Sequence, residues 1–139
     1  MSNIDRFLYV QNRTHEQVKK EIQNGEKVTH WMWYTFPQIK GLGLSDNAQF
    51  YGIDDLEEAS IYLHHEILGN RLKELSNELL KLKTNNPIQI FGKIDAMKLR
   101  SSMTLFDCVE ENSVFKDVLD KYYQGKKDEL TLRILDRKK

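Results

Sequence analysis

The chain has 139 residues, 40% apolar and 30% charged, the balance of a globular protein able to bury a core without disulfide or metal staples. Lys and Arg together number 21 and so do Asp and Glu, which leaves no basic excess to neutralise phosphates, and nucleic acid is not an expected partner. One cysteine, Cys108, excludes an intrachain disulfide and a cysteine-based zinc site; with no leader-like pattern in Met1-Ser2-Asn3-Ile4-Asp5-Arg6 and no apolar run near the ~20 residues that span a bilayer, no membrane is expected and the cytoplasm is the default.

Taken in order, Ile4 to Gln11 reads as a first helix, with Ile4, Phe7, Leu8 and Gln11 on one face. A second runs from Thr14 to Asn24, since Thr14-His15-Glu16-Gln17 has capping-box spacing and Gly25 can close the far end. Lys27 to Ser45 is aromatic-rich, contains Pro37 and lacks helical periodicity, so it reads as an irregular loop with one or two short turns. Ser45 can cap a short helix holding Ala48, Phe50 and Tyr51, and Asp54 can cap the next. Ile67 to Leu82 carries the clearest helical stripe, Leu68, Leu72, Leu75, Leu79 and Leu82, which Asn85-Asn86-Pro87 ends. Ile88 to Phe91 is a short apolar run that fits an extended segment. Helices are then expected over Asp95–Val109 and Ser113–Gln124, with Gly125 as stop, and a short one starting at Asp128. No repeat or linker divides the chain. The reading is all-α: a compact single-domain bundle of about six to eight helices over 1–139, with the irregular loop at about 27–45.

Three places can carry chemistry. On an ideal wheel started at Asp95, Leu99, Phe106, Val109 and Leu105 define an apolar arc, and Lys98 at about 300° and Ser102 at about 340° fall inside it. Arg100, Thr104 and Asp107 take the opposite, solvent side. A lysine within an apolar arc needs a partner, and Asp95 one turn back is in reach. An internal ion pair explains this pattern; so does a polar spot at the floor of a pocket, with Lys98 as anion anchor or acid–base group. Lys98-x-x-Ser101 runs opposite to the Ser-x-x-Lys motif, so a serine nucleophile is not favoured.

In the second place, His30-Trp31-Met32-Trp33-Tyr34-Thr35-Phe36-Pro37-Gln38, the aromatics are either core plugs or a wall on which a planar ligand stacks, with His30 as a donor or base. In the third, Gly41-Leu42-Gly43-Leu44-Ser45 resembles half a phosphate loop, although a tight turn into a helix cap explains it as well. Arg71 borders the leucine stripe, where it can pair with an acid or hold a phosphate. His64-His65-Glu66 misses the zincin spacing, since Leu68 and Gly69 stand where the second histidine is needed; no metal and no cofactor are expected.

These motifs together resemble the bacterial family known as domain of unknown function 1810. The residues carrying the resemblance are His30-Trp31-Met32-Trp33 through Phe36-Pro37-Gln38-Ile39 to Gly41-Leu42-Gly43; Tyr51-Gly52-Ile53 with Leu68-Gly69-Asn70-Arg71-Leu72; and Ile90-Phe91-Gly92 with Asp95, Lys98 and Ser101-Ser102-Met103-Thr104-Leu105-Phe106. The resemblance spans Asp5 to Leu132 and implies a small helical cytosolic protein, without an established reaction. Glu66 and Ala96 depart from it, where members carry a proline and often a second acid. The calpastatin label borne by some members names a disordered, repetitive inhibitor, which this chain does not resemble. A fainter likeness, in layout only, runs to the YbiA-like (NADAR) group, which is linked to ADP-ribose and glycosidic bond cleavage.

The expected function is a pocket for a small, anionic, ring-bearing metabolite of nucleotide-like kind, with hydrolysis of a glycosidic bond as its catalytic form. His30, Asp95 and Lys98 are the catalytic candidates. Trp31, Trp33, Gln38, Gly41, Gly43, Ser45, Arg71, Ser101 and Ser102 are the binding candidates. The rival is a protein-interaction module without chemistry, anchored by exposed tryptophans. The sequence leaves the oligomeric state open.

Overall fold

The computed structural model describes residues 3–139; Met1 and Ser2, the first two residues of the opening segment without a leader-like pattern, lie outside them. The described residues form an all-α fold. Its helices are α1 (Asp5–Gln23), α2 (Met32–Thr35), α3 (Asp46–Phe50), α4 (Leu56–His64), α5 (Glu66–Lys81), α6 (Pro87–Val109), α7 (Val114–Tyr123) and α8 (Glu129–Arg137). Among the described residues no helix is long and apolar enough to cross a membrane.

α6 is the central element, packed against α4, α7, α8 and the short α2, while α5 packs on α1, α4 and α7. The leucine stripe of α5 does what its period demands: Leu68, Leu72, Leu75 and Leu79 are buried. His65 starts this helix, its Nδ1 accepting from the Ile67 and Leu68 amides. Glu66 therefore occupies the first helical position, where proline fits and an acid is favoured by the dipole, so this departure from the family pattern costs the fold nothing visible. At Gly69, α5 crosses α4 so closely that an added Cβ would collide with the Leu63 carbonyl oxygen.

Four expectations are corrected. The two N-terminal helices are one, α1, because nothing between Gln11 and Thr14 breaks the helix; the Thr14 hydroxyl bonds back to the Val10 carbonyl at 2.9 Å instead of capping. The cap of α4 is Asp55, one residue beyond Asp54, its Oδ1 accepting from the Glu58 amide at 2.8 Å. Ile88–Phe91 is not extended. It is the first turn of α6, opened by the Asn86 cap and Pro87, and the helix is interrupted at Gly92 (φ 80°, ψ 167°) before resuming. The interruption frees the Ile90 carbonyl, which accepts the Lys27 amide at 2.8 Å and ties the loop after α1 to α6. Finally, Thr104 and Asp107 do not face solvent. α8 and the segment before it cover that side of α6, leaving Thr104 and Asp107 buried, with the Asp128 amide bonded to Thr104 Oγ1 and Lys127 paired with Asp107 at 3.0 Å. Arg100 is half-buried there, donating to the carbonyls of Lys126 and Lys127.

The irregular stretch is held at both ends. A parallel bridge joins Ile39 to Ile53, with the Lys40 amide donating to the Ile53 carbonyl and the Ile53 amide to that of Gln38, both at 2.8 Å. Arg6 of α1 reaches the same place, bonding the carbonyls of Phe50 and Gly52. Between these ties lies the Gly41–Ser45 turn and α3, which has no buried residue.

Candidate functional site

The irregular loop must place its aromatic groups somewhere, and the structure separates them. Trp31 is a core plug, 1% exposed, with a tilted ring contact to Phe36 and an edge contact to Phe91. A buried indole N–H needs an acceptor, and here it is Glu21 Oε1 at 2.9 Å. The same carboxylate accepts from the Val28 and Thr29 amides, the Thr29 hydroxyl and the Gln17 amide group. Burial by itself would raise the pKa of Glu21, but the Thr29, Trp31 and Val28 hydrogen bonds outweigh it and hold it at about 2. Trp31 therefore offers no stacking wall.

Trp33, two residues on, is half-buried and faces α6. The Lys98 ammonium stands 4.8 Å from the centre of its ring, within cation–π range. Lys98 also meets Asp95 Oδ1 at 3.5 Å, the pair that the wheel anticipates, and keeps 26% of its side chain in solvent. The tighter partner of Asp95 comes from outside α6. Lys27 Nζ lies 2.9 Å from Asp95 Oδ2, with only 8% of its side chain exposed, and 5.2 Å from the Trp31 ring. Two ammonium groups thus share one carboxylate, each over a different indole.

Trp33 and Ile94 border two hollows. One, of ≈ 330 Å³, is lined by Trp33, Gln38, Gly43, Ser45, Lys98, Ser101 and Asp128. That volume suits a small ligand. Leu44, Ile94, Met97 and Leu130, all more than half exposed, stand around it. The other, of ≈ 460 Å³, is lined by Lys27, His30, Asp95 and residues around the Gly92 break. Six candidates from the sequence therefore meet in the first hollow, and His30 and Asp95 meet in the second.

Trp31, Gly41, Ser102 and Arg71 line neither hollow, and several of the candidates that do line the first already have partners within the fold. Gly41 has φ 112° and packs beside Ile134 of α8. Ser45 Oγ accepts the Ala48 amide at 3.1 Å as the cap of a five-residue helix, and a Cβ on Gly43 would press on that of Ala48 at 2.8 Å. The half phosphate loop is thus a packed turn and cap. Ser102 is fully buried and borders neither hollow, whereas Ser101 bonds back to the Met97 carbonyl at 3.2 Å. Arg71 lies between α5 and α1, donating to Asn12 Oδ1 at 2.8 Å, away from Trp33 and Lys98. Among the described residues no group of three His, Cys, Asp or Glu could hold a metal ion.

Sequence reasoning missed Lys27, Glu21 and Asp128. Glu21 carries a legible signal, since it follows Val18 by three positions on the buried face of α1. Lys27 carries none, because its partner is set by where the loop after α1 lands.

Comparison with known proteins gives two findings. The family model described as "Protein of unknown function (DUF1810)" matches residues 1–135. The crystal structure of the conserved hypothetical protein Rv1873 from Mycobacterium tuberculosis is similar, with 42% sequence identity, 96% of each chain covered and a TM-score of 0.93. No curated protein matches.

Proposed function

The chain belongs to the DUF1810 family, and from the geometry around Trp33 we propose that it binds a small, ring-bearing anion, the ring against the Trp33 indole and the negative group at Lys98. The observation that carries this reading is the placement of Lys98: a cation loosely held by Asp95, partly exposed, over a half-buried tryptophan, in a hollow of ligand size. A carboxylate shared by two ammonium groups leaves one positive charge to be met from outside.

Hydrolysis of a glycosidic bond, with His30 or Asp95 handling the proton, is the catalytic form of this proposal. The geometry favours binding over that chemistry. Glycosidic cleavage generally takes two carboxyl groups flanking one bond; both oxygens of Asp95 face ammonium groups, and Asp128 Oδ2 accepts the amide and hydroxyl of Thr131 as a helix cap. A second reading, that Trp33 anchors a protein contact, draws on the four exposed apolar side chains beside it.

The test is a thermal-shift series on the full chain with nucleotides, ADP-ribose and flavin precursors. A bound compound at a hundredfold over its Kd stabilises the protein by about 2.7 kcal/mol. Lys98→Met leaves Asp95 paired with Lys27, so the free protein should lose no more than about 1 kcal/mol while the ligand-induced shift disappears. A shift that persists undiminished in the variant overturns the assignment, and saturable binding of any such compound excludes a mere contact patch.

A further inference from the structure

The charges and the apolar surface of the Trp33 hollow together define what kind of anion it takes. Nucleotides carry several charges and a hydroxyl-rich sugar, and a site for them presents several cations or a helix N-terminus to the phosphates. This hollow has one cationic residue in its lining, Lys98, and one acid, Asp128. α3, which starts at its rim, spans only Asp46–Phe50, and its cap hydroxyl is engaged. Lys27 is committed to Asp95 at 2.9 Å and nearly buried. Lys98 is therefore the one cationic group of the lining, and a polyanion would also lie against Asp128.

Around this single charge the surface is apolar. Leu44 is 87% exposed, Ile94 71%, Met97 66% and Leu130 55%, and all four border the same hollow as Trp33. Exposed large apolar residues are common singly, but a cluster of four about one cleft marks a binding surface. They come from three separate parts of the chain, the loop before α3, the Gly92 end of α6 and the start of α8.

We infer that the hollow is built for an amphiphilic monoanion: a carboxylate with a flat aryl or apolar body, its charge at Lys98, its ring on Trp33 and its apolar edge under Leu44 and Met97. The inference rests on the reading of the hollow as a ligand site and narrows it. The occupant is a small molecule, because complementarity to one ammonium flanked by a tryptophan is met by one carboxylate on one ring.

Calorimetric titration of the full chain with naphthalene-2-carboxylate, naphthalene-2-carboxamide and AMP tests it. The carboxylate binds with one site per chain, and the uncharged amide binds about tenfold or more weakly, the loss expected for one charge-assisted contact. Lys98→Met abolishes the preference for the carboxylate over the amide. Leu44→Ser with Met97→Ser, both exposed and outside the core, weakens the carboxylate several-fold without lowering the melting temperature. AMP binding more tightly than the carboxylate overturns the inference while leaving the anion site standing. Equal affinity for carboxylate and amide, or an unchanged affinity in the double serine variant, also overturns it. Absence of saturable binding by all three compounds removes both this inference and the reading beneath it.

Discussion

Glu21 shows how one side chain organises the neighbourhood of the hollow without entering it. Its carboxylate gathers the Val28 and Thr29 amides, the Thr29 hydroxyl and the Trp31 indole, which fixes the loop that carries Lys27 toward Asp95. With a folded pKa of about 2 against an ordinary 4.5, the carboxylate stabilises the fold fully above the unfolded value, and that stabilisation is lost as pH falls from 4.5 toward 2. Glu21→Gln should cost about 2–3 kcal/mol at neutral pH, the range for hydrogen bonds to a charged group. In urea unfolding the gap between wild type and variant should shrink by more than half by about pH 3, as the linkage requires; an equal gap at pH 7 and pH 3 would show that packing, not the charge, sets the cost. The sequence gives Glu21 no chemical motif, but its position on the buried face of α1 marks it as an acid that must be satisfied.

Among elements, the legible ones are those whose signal is local. The α5 stripe, the Asp128 cap and the Gly125 stop follow from period and capping chemistry alone. The errors come where local chemistry has two outlets. The Thr14 hydroxyl can cap a new helix or bond back within a continuing one, and the buried Val18 and Ile22 extending the face of Phe7 and Gln11 favour continuity. Ile88–Phe91 is too short for its period to separate strand from helical turn, and Asn86-Pro87 decides it. Two glycines hold elements in place for different reasons. Gly69 keeps α4 and α5 in contact, so Gly69→Ala should cost about 3 kcal/mol through a backbone clash. Gly92 has open space where a Cβ would go but a backbone conformation that only glycine adopts readily, so Gly92→Ala should cost about 1–3 kcal/mol. Melting of the two variants distinguishes them: a second substitution, Leu63→Ala, should not rescue Gly69→Ala, because the obstructing atom is the carbonyl and not the side chain.

At the scale of the molecule, one apolar cluster runs from Phe7 on α1 through Trp31, Tyr62 and Phe106 to Phe115 and Leu135, with α6 at its centre. The Trp33 hollow lies at its edge, where α6 emerges past Gly92 beside the irregular loop. The contact of Trp33 with Lys98 was within reach of sequence reasoning, because the wheel puts Lys98 on the inner side and leaves the tryptophans as the large apolar groups to be placed. Which tryptophan meets it was not, since nothing local separates Trp31 from Trp33 until Glu21 is in place to accept the Trp31 indole N–H. The apolar rim was also hidden, because Leu44, Ile94, Met97 and Leu130 are ordinary residues until three elements converge.

The bridge between Ile39 and Ile53 has a consequence for how the protein breathes. Residues 40–50 form a loop pinned at its base by that bridge, by Arg6 and by Tyr51 against Phe7, and its interior, α3 included, contributes nothing fully buried. Such a segment can detach and reseat while its anchors and the core stay intact. Amide hydrogen exchange should therefore divide within a few residues. The amides of Ala48, Gln49 and Phe50 should exchange on the order of a hundredfold faster than that of Ile53, which is bonded to Gln38. Comparable protection at all four amides would mean that the wall of the hollow opens only when the whole protein unfolds. With the expected division, the wall carrying Gly43 and Ser45 exchanges between seated and unseated states on its own timescale, and a bound molecule would be read as slowed exchange confined to this loop.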